Sequence, residues 1–152
     1  MKKEIMLKEE EIRLKLEQNF FWKGVYILRC LSDNNEYIQI NRILKTDKDG
    51  VIYIGSSSYI PHRIVQLKVS ILEAYKNPSN YNKSRLFKHT CGKKFLNSAV
   101  REIIKFEKLS VEIISSEENA HTDSHYILEN EKLLHYENEF GEPPPFNQGS
   151  RF

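Results

Sequence analysis

The sequence predicts an α/β protein of the α+β kind, with a small, mainly antiparallel sheet flanked by helices and a short helical arm at its N-terminus. Three observations predict it. Runs of β-branched and aromatic residues at 24–30, 51–55 and 111–114 are bounded by turn residues, as strands are. Apolar residues recur at helical spacing over 61–75 and again over 124–140. A chain of 152 residues, 39% of them hydrophobic, is long enough to bury one core without disulfide or metal support.

The elements follow in order. Residues 2–18 carry Ile5, Leu7, Ile12, Leu14 and Leu16 among many Lys and Glu, which predicts a solvated helix with one modest apolar stripe. That arm either packs on its own domain or pairs with a second subunit. Gly24-Val25-Tyr26-Ile27-Leu28-Arg29-Cys30 is a strand closed by Ser32-Asp33-Asn34-Asn35. A further strand is expected over 37–44, then the turn Asp47-Lys48-Asp49-Gly50, then the buried strand Val51-Ile52-Tyr53-Ile54-Gly55, so the first third reads as a β-meander. Pro61 suits a first helical turn, and Ile64, Leu67, Ile71, Leu72 and Tyr75 extend that helix to the stop at Asn77-Pro78. Another helix is expected over 95–106, burying Leu96, Ala99, Val100 and Ile103. The strand Val111-Glu112-Ile113-Ile114 follows, and a last helix runs over 124–140 to Gly141 and the barrier Pro143-Pro144-Pro145.

Composition narrows the function classes. Every apolar run is interrupted by Lys, Glu, Asn or Asp well short of the roughly 18 residues that a membrane span needs, so no membrane partner is expected. Met1-Lys2-Lys3-Glu4 opens a charged stretch rather than a leader, which points to an intracellular, cytoplasmic protein. Cys30 and Cys91 lack the spacing of a zinc site or a disulfide framework and are expected as thiols. The net charge of +2 neither demands nor excludes a polyanion. Lys83, Arg85, Lys88, His89, Lys93 and Lys94, interleaved with aromatic residues, form a candidate nucleic-acid-binding path; an exposed lysine-rich loop is the other reading. His121 and His125 are spaced for one helical face, but without a metalloprotease motif they read as surface residues at a helix start.

Two tyrosine-bearing strands, Gly24-Val25-Tyr26 and Tyr53-Ile54-Gly55, precede Arg63 on the next helix, an acidic helix bearing Glu129, and a terminal Pro145-Phe146-Asn147. In this order and spacing the chain resembles the GIY-YIG nuclease family, from which it departs by Val for Ile in the first motif and by the longer interval from Asp33 to Gly50. The resemblance divides the chain into an arm, 1–19, and a nuclease domain, 20–152. It implies a metal-dependent endodeoxyribonuclease acting on double-stranded DNA, of the small type II restriction kind, with the arm as a candidate homodimer element. A structure-specific or repair nuclease, and a binding module that keeps the fold without cleaving, are the alternatives.

The resemblance also implies roles. Tyr53 takes a proton from the attacking water and Tyr26 tunes it; Arg63 clamps the scissile phosphate with its planar fork of donors; Asn147 ties the site together. Glu129 holds one divalent cation, Mg²⁺ with Mn²⁺ as a substitute, with Glu131 as its rival. The helical stripe Tyr126, Glu129, Leu133 and Tyr136 favours Glu129. Strand alternation sets Tyr53 and Gly55 on one face and Ile52 and Ile54 on the other, leaving Tyr53 toward solvent. A phenol of ordinary pKa near 10 is a weak base at neutral pH, so the role requires a nearby cation.

Overall fold

The computed structural model describes residues 2–19, 21–83, 89–116 and 124–147. In chain order they form β1 (Lys2–Met6), α1 (Ile12–Gln18), β2 (Gly24–Cys30), β3 (Ile40–Asn41), β4 (Thr46–Asp47), β5 (Val51–Ser57), α2 (Ile60–Lys76), α3 (Ser98–Ile103), β6 (Leu109–Ser115) and α4 (Ser124–Phe140). Short 3-10 turns occupy Pro78–Lys83, Thr90–Leu96, Phe106–Lys108 and Pro145–Asn147. Among the described residues no helix is long and apolar enough to cross a membrane.

Four strands pair antiparallel in the order β1-β6-β2-β5. The sheet has a core on each face, which is why Val25, Tyr26, Ile27 and Leu28 of β2 are all buried although alternate residues point to opposite sides. On one face Tyr26 and Leu28 meet Ile60, Ile64, Leu67 and Ile71 of α2 and Leu16 of α1. On the other, Val25, Ile27, Val51, Ile54 and Ile114 meet Leu133, Tyr136 and Phe140 of α4. Leu133, Tyr136 and Phe140 recur three and four residues apart, so α4 turns one stripe to the sheet.

Four expectations are corrected. The helix predicted over 2–18 is confined to α1: residues 2–6 form strand β1, with Ile5 opposite Val111 and Lys3 opposite Ile113. A free edge of β6 supplies backbone partners that outweigh local helix preference. The expected strand over 37–44 is reduced to the two-residue hairpin β3-β4, outside the main sheet, and Tyr37 makes only an isolated bridge to Leu31. No meander forms, because β6, the last strand among the described residues, occupies the other edge of β2 and β5 pairs with β2 directly. The helix predicted over 95–106 begins at Ser98, where the Asn97 side chain accepts from the amides of Ala99 and Val100. It buries none of its residues; Ala99 is exposed, Ile103 is 76% exposed, and Leu96 and Val100 are half-buried.

The turn between β4 and β5 is built on buried Asp47. Its carboxylate accepts from the amides of Asp49 and Val51 at 2.8 and 3.1 Å and from the Tyr136 hydroxyl at 2.9 Å, tying the start of β5 to α4. Ile5 is 4% exposed and Leu14 is 48% exposed. Ile5→Ala is expected to cost about 2–4 kcal/mol in urea unfolding, as loss of a core side chain does, and Leu14→Ala less than about 1 kcal/mol. Equal costs would contradict the placement of residues 2–6 inside the sheet.

Candidate active site

Pairing of β2 with β5 sets Tyr26 opposite Gly55 and Leu28 opposite Tyr53. A Cβ on Gly55 would lie 2.5 Å from the Tyr26 ring, so the ring rests on bare backbone there. The two tyrosine rings stand 6.1 Å apart on the α2 face of the sheet. The longer interval between the two motifs therefore loops out as β3-β4 and does not part them.

Tyr53 and Gly55 share a face as alternation predicts, but Ile52 does not turn away. A register shift makes it the extra residue of a bulge, and it joins the same core as Tyr53. Tyr53 is 8% exposed rather than solvent-facing, because the segment 89–96 closes over it. Gly92 allows that closure: a Cβ there would meet Ser70 of α2 and the Tyr81 hydroxyl, each at 2.6 Å.

The segment brings in His89, which is buried and not part of an exposed basic path. Its backbone N–H donates to Ser70 Oγ at 3.1 Å, and its Nδ1 accepts from the Cys91 amide at 3.1 Å. Its Nε2 lies 2.7 Å from the Tyr26 hydroxyl, and its ring is edge-on to both tyrosines. Burial, then the charge of Arg63, hold the imidazole neutral, pushed down to about 3. Sequence reading placed His89 on an exposed basic path and missed its position beside the tyrosines; the local signal is the small, uncharged run Thr90-Cys91-Gly92 that interrupts the basic stretch.

Arg63 lies on the first turns of α2, half-buried, with Nη1 donating to Gln66 Oε1 at 2.9 Å. Burial pushes the Tyr26 hydroxyl far above the ordinary phenol range, while the charge of Arg63 and a hydrogen bond from it pull the other way. Burial also raises Tyr53; a hydrogen bond from Thr90 and the charge of Arg63 lower it, and the charge of Glu129 raises it. Both tyrosines are thus neutral phenols, with Arg63 the cation shared between them.

Glu129, half-buried on α4, accepts from Ser56 Oγ of β5 at 2.7 Å, whereas Glu131 is exposed. Its stripe continues through Leu133 and Tyr136 but not back to Tyr126, which is 55% exposed. Among the described residues no three His, Cys, Asp or Glu side chains cluster as metal ligands. Asn147 lies against the outer edge of β5, where its Oδ1 accepts from the Ile54 amide and its Nδ2 donates to the Ile54 carbonyl, both at 2.9 Å. It pairs with the edge strand as a neighbouring strand would, between Tyr53 and Gly55.

Tyr26, Tyr53, Arg63 and His89, the last predicted for a nucleic-acid path instead, thus meet on one face of the β2-β5 pair, Asn147 closes its edge, and Glu129 is anchored through Ser56. Of the candidate nucleic-acid residues, Lys93 is exposed and Lys94 half-buried on the turn that follows His89. Arg85, Lys88 and the Lys83 side chain lie outside the described residues, as does His121. His125 is buried at the start of α4, not a surface residue, with its ring against Tyr126.

The neutral His89 makes a pH prediction. The unfolded chain protonates this histidine near 6.5 and the folded one only near 3, so its contribution is full above about 6.5 and is lost as pH falls toward 3. Unfolding free energies from urea titrations between pH 7 and 4 are expected to fall for the wild type and to fall less for His89→Asn, a difference on the order of a few kcal/mol. Parallel curves would show that His89 is not held neutral. No protein-family model, no curated protein and no solved structure matches this chain, so a functional assignment rests on the chemistry of these side chains.

Proposed function

We propose that this protein is a divalent-cation-dependent endodeoxyribonuclease that hydrolyses phosphodiester bonds in double-stranded DNA, in the manner of a small restriction enzyme. The observation that carries the reading is the meeting of two phenols and one guanidinium, from positions 26, 53 and 63, on one face of the β2-β5 pair, with the Glu129 carboxylate of α4 held to Ser56 of β5 and close enough for its charge to act on Tyr53. Packing alone requires no such set, since apolar side chains would fill the same space without the cost of burying hydroxyl and imidazole groups.

Hydrolysis needs a nucleophile, relief of charge at phosphorus and a path for protons. In its phenolate form Tyr53 accepts a proton from water; the resulting hydroxide forms the new P–O bond as the bond to the leaving oxygen breaks, and that oxygen takes a proton from solvent. Arg63 turns charge-assisted donors toward the phosphate and lowers the cost of the phenolate beside it. The donor set suits Mg²⁺, which commonly binds through one or two carboxylates and fills its remaining positions with water and phosphate oxygens; Glu129 would hold it beside Ser56. Bound there, the cation supplies Lewis-acid relief of charge on the phosphoryl oxygens. Lys93 and Lys94, on the turn that follows His89, add positive charge that a nucleic-acid backbone would meet.

Purified protein incubated with long duplex DNA and Mg²⁺ is expected to give discrete fragments, and none with EDTA. Arg63→Ala and Glu129→Gln are each expected to lower the rate about 10²–10³-fold with the fold intact by circular dichroism, the usual loss for removing a charge-stabilising group. Arg63→Lys should restore little, because an ammonium lacks the planar fork. Asn147→Ala is expected to lose less activity and more stability than Arg63→Ala, since it bares the edge of β5. Linear, branched and damaged DNA left intact by a folded wild-type protein would overturn the nuclease reading in favour of a binding module.

A further inference from the structure

His89 has two ring nitrogens with different partners, and one of them fixes the state of the other. Nδ1 accepts from the Cys91 amide, so it carries no proton. The imidazole is neutral, so its single proton is on Nε2, 2.7 Å from the Tyr26 hydroxyl. Nε2 therefore donates and Tyr26 Oη accepts. That donation occupies one lone pair of the oxygen, so the Tyr26 proton points away from the imidazole. Tyr26 is 1% exposed, so its proton stays inside the protein, on the face of the sheet where the Tyr53 ring stands 6.1 Å away between centroids.

We infer that His89 is a positioning residue that orders the site's hydrogen bonds in one direction, from the Cys91 amide through Nδ1 and Nε2 to Tyr26, and from the Tyr26 hydroxyl toward Tyr53. The direction matters for the phenolate. A Tyr26 O–H aimed at Tyr53 stabilises negative charge on the Tyr53 oxygen, as the Thr90 hydrogen bond does. The opposite tautomer would draw the Tyr26 proton to His89, leave lone pairs facing Tyr53 and disfavour the charged form. The inference rests on the nuclease reading for its catalytic consequence, and on the hydrogen-bond geometry alone for the proton's direction.

Two substitutions separate the two nitrogens. His89→Asn places an amide oxygen where Nδ1 was, keeps the Cys91 contact as an Asx turn and loses the donor to Tyr26. His89→Gln reaches further and restores a donor near the position of Nε2. Nitrogen-15 resonances of the wild-type imidazole at neutral pH are expected to show Nε2 protonated and Nδ1 bare. His89→Asn is expected to lower kcat about 10²-fold with KM for DNA unchanged, and His89→Gln to recover at least a tenth of wild-type kcat, whichever variant is the more stable in urea. A proton on Nδ1 would overturn the inference, as would activity that follows stability with Asn cutting as well as Gln. If the wild type cuts no DNA, the nuclease reading and the catalytic role of His89 fall together, while the resonances still decide the direction of the proton.

Discussion

The contact of the Tyr26 ring with the bare backbone of Gly55 is the constraint on which the rest of the site depends. The strand pair holds the ring in place, and the ring's direction sends the hydroxyl to His89. Any side chain at position 55 would push the ring off the strand and break that hydrogen bond. The same pairing puts Tyr53 opposite Leu28, fixes the distance between the rings and leaves Ser56 at the end of β5 within reach of α4. One antiparallel register thus aligns residues from both halves of the chain.

A buried polar network of this kind is costly unless its members satisfy one another. Here the accounting is largely internal: Ser70 receives the His89 amide, His89 receives the Cys91 amide, and Tyr26 receives the imidazole. The open edge of β5 is closed by Asn147, whose side-chain amide occupies both backbone groups of Ile54. An unpaired edge there would be free to recruit another strand and disturb the positions of Tyr53 and Gly55 on either side. Burial raises both phenols, and Arg63 alone among the groups identified at both tyrosines pulls both of them down. Desolvation is opposed by this one guanidinium at both phenols, and by Thr90 as well at Tyr53.

The strands β2, β5 and β6 and the helices α2 and α4 were legible because each carries a local signal: β-branched runs, apolar residues at helical spacing, a proline at a helix start or a glycine after its end. The grouping of Tyr26, Tyr53 and Arg63 on one face, with Asn147 at its edge and Glu129 held to Ser56, was legible only as a pattern of order and spacing. β1 was not, since Lys2–Met6 is a strand only when β6 offers an edge. Nor was the burial of Tyr53, which depends on a segment lying some forty residues later in the chain. Basic neighbours made His89 look like a surface residue, although the small residues after it let the chain turn inward.

The sequence by itself determined the α+β class, the bounds of β2 and α4, and the helix that carries Arg63. Only the tertiary structure decided that β1 completes the sheet, that β5 pairs with β2 despite the intervening hairpin, that Tyr53 is covered, and that His89 joins the tyrosines. The division has a physical cause. Periodicity and capping act over a few residues and are written locally, whereas edge pairing, burial and the direction of a buried hydrogen bond depend on which distant segments meet.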